Sequence, residues 1–276
     1  MAKKIPPPPA SEPRTLAQVI ASINKKAGEQ VIGKMKNLKT LNIERIATGI
    51  PALDDAIGGG FPRRRIVELY GLPSGGKSLI SMLVIAAAQK QGLECIYVDI
   101  EDSFDPSFAT KLGVNVDNLA VAQSSIGEDT MDMLCTLLEA KPGVIVVDSV
   151  AAMITRGEMT ESFDQAFMAP KARLMSRGLA KLTALNTETL IIFINQLRST
   201  MALYGAKTTT TGGRALGHYA SIRCEVKRGD PIFLDGKKTQ AIIGQVVQFY
   251  VVKNKTHRPF LTGSFQFYYD DGRVVI

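Results

Sequence analysis

Apolar positions along the chain fall into three regimes. Near the start, Leu16, Val19, Ile20 and Ile23 recur at i, i+3, i+4 and i+7, one stripe of an amphipathic helix over Thr15 to Lys26. Lys25 and Lys26 suit its C-terminal end, and Gly28 suits its stop. From Arg65 the pattern becomes short apolar runs separated by helical stretches: Ile66 to Tyr70, Ile96 to Ile100, Val144 to Asp148 and Leu190 to Asn195, with helices over Leu79 to Lys90 and Arg173 to Leu185. Continuous apolar strands of this kind predict a parallel sheet covered on both faces. In the last third, Ile242 to Lys253 and Ser264 to Tyr269 are strand-like with little helix between them, which predicts an antiparallel extension of the same sheet. The expected organisation is a disordered basic, proline-rich arm over 1–14, a helix and linker over 15–47, and one α/β core over 48–276. No internal repeat is visible.

Composition narrows the class. The chain has 276 residues, 45% hydrophobic and 21% charged, the profile of a globular domain with a full core. Its three cysteines are odd in number and widely spaced, which argues against a disulfide framework or structural zinc. Two histidines rule out a histidine-rich metal centre. No apolar run approaches the ~18 residues of a membrane span, and the start, with Pro6 to Pro9, lacks the apolar region of a secretory signal. These features predict a soluble protein of the cytoplasm with no membrane partner. Thirty-three Lys and Arg against 26 Asp and Glu give +7, a balance that favours a polyanionic partner only if the excess is localised.

One segment carries explicit chemistry. Gly71, Leu72, Pro73, Ser74, Gly75, Gly76, Lys77 and Ser78 satisfy G-x-x-x-x-G-K-[ST] between a strand and a helix. Side-chain-poor residues let backbone N–H groups turn inward around a phosphate chain, and the positive end of the following helix adds to the attraction. Lys77 would reach the β- and γ-phosphates of ATP, and Ser78 would hold Mg2+. Asp148, after four apolar residues, is the expected second magnesium-side group. Glu101, just past a strand, is the leading candidate to activate water, with Asp99 and Asp102 as alternatives. Asn195 and Gln196 end the fourth strand, where a polar group would sense the γ-phosphate.

The order of segments resembles the bacterial RecA recombinase family. The resemblance is carried by Arg65 to Gly71, Val98 to Pro106, Phe108 to Val114, Val144 to Ala152, Phe193 to Arg198, Thr209 to Leu216 and Val251 to Lys255, and it extends from about Leu16 to the C-terminus. It implies a RecA-like ATPase core in which Glu101 is catalytic and Phe108 stacks on adenine, with Asp105 and Tyr269 as further nucleotide contacts. It also implies that Gln196 links the γ-phosphate to a DNA-binding loop, and that Lys253 and Lys255 reach across a subunit interface to the neighbour's nucleotide. Two lysines at i and i+2 on a strand share a face.

Two segments, from about Glu158 to Pro170 and from Arg198 to about Gly213, resemble the family's DNA-binding loops. Single-strand binding wants cations for phosphates and apolar surfaces for bases. Arg173, Arg177, Arg198 and Arg214 with Met168, Met201 and Tyr204 supply that mixture. The resemblance places Met168 and Met201 between base triplets and makes Arg173, Ser176 and the backbones of Gly212 and Gly213 DNA contacts.

Departures from the family pattern lie at Ala180, where an arginine is usual, at Arg214, and at Gly217 and His218. Arg177 stands close enough to Ala180 to substitute. The sequence stops at Ile276, so the family's C-terminal domain is expected to be absent, as in a viral or divergent member. The expected function is ATP-dependent homologous recombination: a helical filament on single-stranded DNA that pairs with homologous double-stranded DNA, with DNA-stimulated ATP hydrolysis. The alternatives are a regulatory paralogue that binds ATP, or a ring-forming helicase.

Overall fold

The computed structural model describes residues 14–28, 31–33, 43–160, 168–199, 208–236 and 241–275. Two compact units divide the chain, Met1–Ile43 and Glu44–Ile276. The first contains helix α1 (Leu16–Ala27). Thr15 caps it reciprocally with Gln18: the Gln18 N–H donates to Thr15 Oγ1, and the Thr15 N–H donates to Gln18 Oε1 at 2.9 Å. Gly28 ends it in the left-handed region at φ 71°. Its apolar stripe is not buried, and Leu16 is 76% exposed.

The second unit begins with β1 (Arg45–Ile46), α2 (Pro51–Ile57) and β2 (Phe61–Pro62), β1 pairing antiparallel with β2. Alternation follows: β3 (Ile66–Gly71), α3 (Lys77–Lys90), β4 (Cys95–Asp99), α4 (Pro106–Lys111), β5 (Leu119–Gln123), α5 (Gly127–Leu137), β6 (Val144–Asp148), α6 (Arg156–Thr160), α7 (Met168–Leu185) and β7 (Leu190–Ser199). Then come β8 (Thr208–Thr210), α8 (Ala215–Tyr219), β9 (Ile222–Phe233), β10 (Ile242–Asn254), β11 (Thr262–Tyr268) and β12 (Val274–Val275).

One mixed sheet has the order β12-β11-β10-β9-β3-β7-β6-β4-β5, with β8 hairpinned onto β7. The strands from β9 to β5 are parallel, and β9 to β12 are antiparallel. Buried strands need cover on both faces, and two apolar clusters supply it. Residues of α2, α3 and α4, including Leu53, Ile80 and Ala109, close one face. Residues of α5, α7 and α8, including Leu134, Leu179 and Leu216, close the other.

The parallel core and its antiparallel extension match the sequence pattern, which did not pick out β5, α5 or β9. β9 alternates buried Ile222, Cys224 and Val226 with charged Arg223, Glu225 and Lys227, and it joins the two halves of the sheet. The fourth strand does not end at Asn195 but runs on to Ser199. Both expected loop segments include regular structure at their limits. Glu158 to Thr160 lie in α6, Met168 to Pro170 open α7, and Arg198 pairs with Thr209 across the β7–β8 hairpin. Met201 and Tyr204, and the arm before Arg14, lie outside the described residues.

Candidate nucleotide and nucleic-acid site

Gly71 closes β3, Lys77 opens α3, and the loop between them turns through left-handed backbone at Ser74 (φ 58°) and Gly76 (φ 101°). Its glycines also answer to packing. A Cβ on Gly71 would lie 2.0 Å from the Val226 carbonyl oxygen, and one on Gly75 would lie 2.9 Å from it. β9 thus presses the loop into shape from behind. Lys77 Nζ donates to the Leu72 carbonyl at 2.8 Å and more weakly to that of Gly71, closing the loop on itself. Burial lowers the Lys77 pKa, while Asp148 and Glu101 act to raise it.

Across the sheet, the ends of β4 and β6 and the interior of β7 bring the remaining candidates together. Ser78 Oγ donates to Asp148 Oδ2 at 2.7 Å, and the Tyr97 hydroxyl donates to the same oxygen at 2.7 Å. Asp148 Oδ1 has no protein donor among the described residues. Burial raises the Asp148 pKa, and these two donors oppose it. A serine hydroxyl beside a carboxylate with a spare oxygen, next to a phosphate-shaped loop, is the oxygen donor set that Mg2+ takes alongside nucleotide phosphates. The residues fit the cation.

The geometry separates the three acids after β4. Asp99 is buried, and its carboxylate accepts from the Ser103 and Phe104 N–H groups, the latter at 2.8 Å, so it holds the turn. Asp102 accepts from Gln123 Nε2 at 2.7 Å. Glu101 is exposed, and its Oε1 accepts from the Ser149 hydroxyl and, at 3.0 Å, from Gln196 Nε2.

Asn195, one residue earlier, is wholly buried and serves a different purpose. Its Nδ2 donates to Glu68 Oε1 and to the Thr211 carbonyl, each at 3.0 Å, and its Oδ1 accepts from the Gln196 N–H at 2.9 Å. Glu68 also accepts from Arg223 Nε at 2.5 Å, and that guanidinium lies over the Tyr70 ring at 4.7 Å.

Phe108 packs half-buried with its ring edge-on to Phe267, centroids 6.0 Å apart, and Tyr269 meets Phe267 from another side at 5.7 Å. Asp105 spends one carboxylate oxygen capping α4, accepting from the Ser107 and Phe108 N–H groups. Lys253 Nζ donates to the carbonyls of Gly217 at 2.6 Å and His218 at 3.0 Å, and Lys255 Nζ reaches the His218 carbonyl at 3.3 Å. Both lysines thus rest on the C-terminal carbonyls of α8, where cations are favoured. Burial, with help from Lys255 and Arg223, pushes Lys253 down to about 8.

On the other cluster's side, Arg173, Ser176 and Arg177 share an exposed face of α7, and among the described residues neither arginine has an ion-pair partner. Arg198 and Arg214 are exposed at the hairpin and ahead of α8. Gly212 and Gly213 take φ of 83° and 79° and pack against Val150 and Ala172. The half-buried Lys171, which sequence reasoning missed, stands in the field of Arg198 and Glu158.

A model of the RecA N-terminal domain matches residues 14–274. The chain belongs to the RecA family. Curated relatives named Protein RecA from Rickettsia canadensis (strain McKiel), Rickettsia prowazekii (strain Madrid E) and Rickettsia bellii (strain OSU 85-389) are each 39% identical over 264 residues, 94% of this chain and 76% of theirs. Membership agrees with the α/β core, and among the described residues no helix is long and apolar enough to cross a membrane. Within this RecA-family core, Tyr97, Ser149, Glu68 and Arg223 went unrecognised as part of the site, and Asn195, expected to sense the γ-phosphate, is instead buried against Glu68. The partners of the four unrecognised residues lie 51, 48, 127 and 155 residues away along the chain, so no local spacing signals them.

Proposed function

We propose that this chain is an ATP-dependent homologous-recombination protein that assembles as a helical filament on single-stranded DNA, in the cytoplasm of a bacterial or virus-infected cell. The observation that carries the reading is the pair Asn195 and Gln196, where the parallel pairing of β7 with β3 ends. Gln196 touches Glu101 at the nucleotide end, while Asn195 beside it holds the Thr211 carbonyl at the base of the second DNA-binding segment. One short piece of strand therefore joins the hydrolytic edge to the DNA side.

In this reading the loop from Gly71 to Ser78 cradles the phosphates of ATP, and Phe108 and Tyr269 face its base. Bound Mg2+, held by Ser78 and on the side of Asp148, would neutralise charge on the phosphate oxygens. Glu101 orients the attacking water and takes its proton, giving ADP and phosphate. Gln196 exchanges its bond to Glu101 for one to the γ-phosphate, which changes the pull on Asn195 and on the loop behind it. Arg173, Ser176, Arg177, Arg198, Arg214 and the Gly212–Gly213 backbone hold the strand, with Met168 and Met201 against its bases. The homologous duplex is then read by base pairing. Lys253 and Lys255 leave α8 to complete a neighbour's ATP site, and α1 docks its exposed stripe on that neighbour. A head-to-tail contact that does not close gives a filament.

The test is magnesium-dependent ATP hydrolysis with and without long single-stranded DNA, beside a Glu101→Gln variant. Strong stimulation that is lost in the variant supports the reading. Hydrolysis indifferent to DNA overturns it in favour of a regulatory ATPase.

A further inference from the structure

We propose that Tyr97 is a positioning residue for Asp148, a hydroxyl anchored in the sheet that fixes which carboxylate oxygen is offered to magnesium. Tyr97 lies on β4, 1% exposed, with its ring against Phe104 at 5.1 Å between centroids. β4 and β6 run parallel with Tyr97 opposite Val146 and Asp99 opposite Asp148. That register brings the phenol beneath the last residue of β6, and its oxygen lies 2.7 Å from Asp148 Oδ2.

The ring alone would fill this space, because a phenylalanine has the same outline. A buried phenol oxygen is costly unless it is bonded, and Asp148 is its partner here. The bond therefore has to be accounted for by what it does to Asp148. Ser78 and Tyr97 both donate to Oδ2, which leaves Oδ1 without a protein donor among the described residues. The two donors differ in footing. Ser78 belongs to the phosphate loop and is itself a magnesium-side group, whereas Tyr97 is held in β4 among the buried core residues. When the Ser78 oxygen turns to the cation, Tyr97 remains as the fixed donor that keeps Oδ2 in place and Oδ1 presented. Outer partners of this kind tune the affinity of a metal site without touching the metal.

The inference rests on Asp148 standing on the magnesium side of the site. The experiment measures binding of a fluorescent ATP analogue to the full chain as Mg2+ is titrated, and again in excess chelator, for wild type, Tyr97→Phe and Asp148→Asn. Unfolding midpoints without nucleotide are recorded for each. The expected result is a Tyr97→Phe protein that is folded and binds nucleotide normally in chelator, with its Mg2+ midpoint raised by about tenfold. Asp148→Asn should lose most of the magnesium response. A Tyr97→Phe midpoint equal to wild type, with Asp148→Asn impaired, overturns the positioning role and leaves Tyr97 as core filler. A Tyr97→Phe defect of the same size in chelator also overturns it, because it would mark a general packing fault. An Asp148→Asn protein with an intact magnesium response overturns the underlying assignment of Asp148, and the proposal falls with it.

Discussion

Asn195 makes three hydrogen bonds from inside the core, to Glu68, to the Thr211 carbonyl and from the Gln196 N–H. Replacing it with alanine leaves buried Glu68 short of a donor and frees the base of the second loop. The expected cost is about 1–3 kcal/mol, read by denaturant unfolding. The functional signature is separate: Asn195→Ala should hydrolyse ATP at a rate that no longer responds to single-stranded DNA.

Lys253 gives a second prediction, of opposite sign for two observables. In the free subunit it loses its proton as pH rises through about 8, below the ordinary lysine value of 10.5. Between those values the unfolded chain holds more protons than the folded one, so monomer stability should rise with pH across that window. Meeting a neighbour's phosphates requires the charged form, so assembly takes up a proton and should weaken as pH rises through about 8. Light scattering reads the second effect and denaturant unfolding the first. Lys253→Arg keeps its charge and should flatten both. An assembly profile unchanged by Lys253→Arg would show that this lysine is not at the interface.

At the scale of elements, α7 presents Arg173 and Arg177 one turn apart, on the face that also carries Ser176 and Ala180. A helix with cations in successive turns that find no ion-pair partner among the described residues suits a phosphate backbone. Removing both arginines should lower single-strand affinity and reduce the slope of log affinity against log salt by about 1.4, roughly 0.7 per lost phosphate contact. A weaker affinity with an unchanged slope would mean that the helix is needed for shape and not for charge.

What the sequence disclosed also sorts by element. β3, β4, β6 and β7 were legible because a strand buried on both faces must be apolar throughout, and the loop after β3 because phosphate binding demands its glycines, Lys77 and Ser78. β9 was not legible, since its alternation of Ile222, Cys224 and Val226 with charged residues gains its meaning only from pairing with β3 and β10. β5, at the sheet's edge, has only Leu119 buried among five residues, and its short run Leu119 to Ala122 carries two alanines where its neighbours carry bulky strand formers. Within the site, Glu101 and Asp148 could be picked out because they sit at or just past the end of a strand, and Gln196 because it closely follows the apolar run Leu190 to Ile194. Tyr97 and Ser149 could not, because a tyrosine inside an apolar strand and a serine after an acid look ordinary until the sheet sets them against their partners.

At the scale of the molecule, the proposed function requires an ATP site split between subunits. Glu101 and the phosphate loop lie at one end of the parallel strands, while Lys253 and Lys255 rest on α8 of their own subunit at 2.6–3.3 Å, away from any phosphate loop contact in the described hydrogen bonds. A lysine pair satisfied by its own carbonyls in the free subunit must be released by assembly to act elsewhere. This division can be tested by mixing two inactive proteins. Glu101→Gln keeps the lysines, and Lys253→Ala with Lys255→Ala keeps the glutamate. In a mixed filament formed from equal amounts, half the sites carry Glu101 and half of those meet an intact lysine pair. About a quarter of the wild-type DNA-stimulated ATPase should therefore return. Mixtures that assemble on single-stranded DNA and stay as inactive as either protein alone would contradict a site shared between subunits.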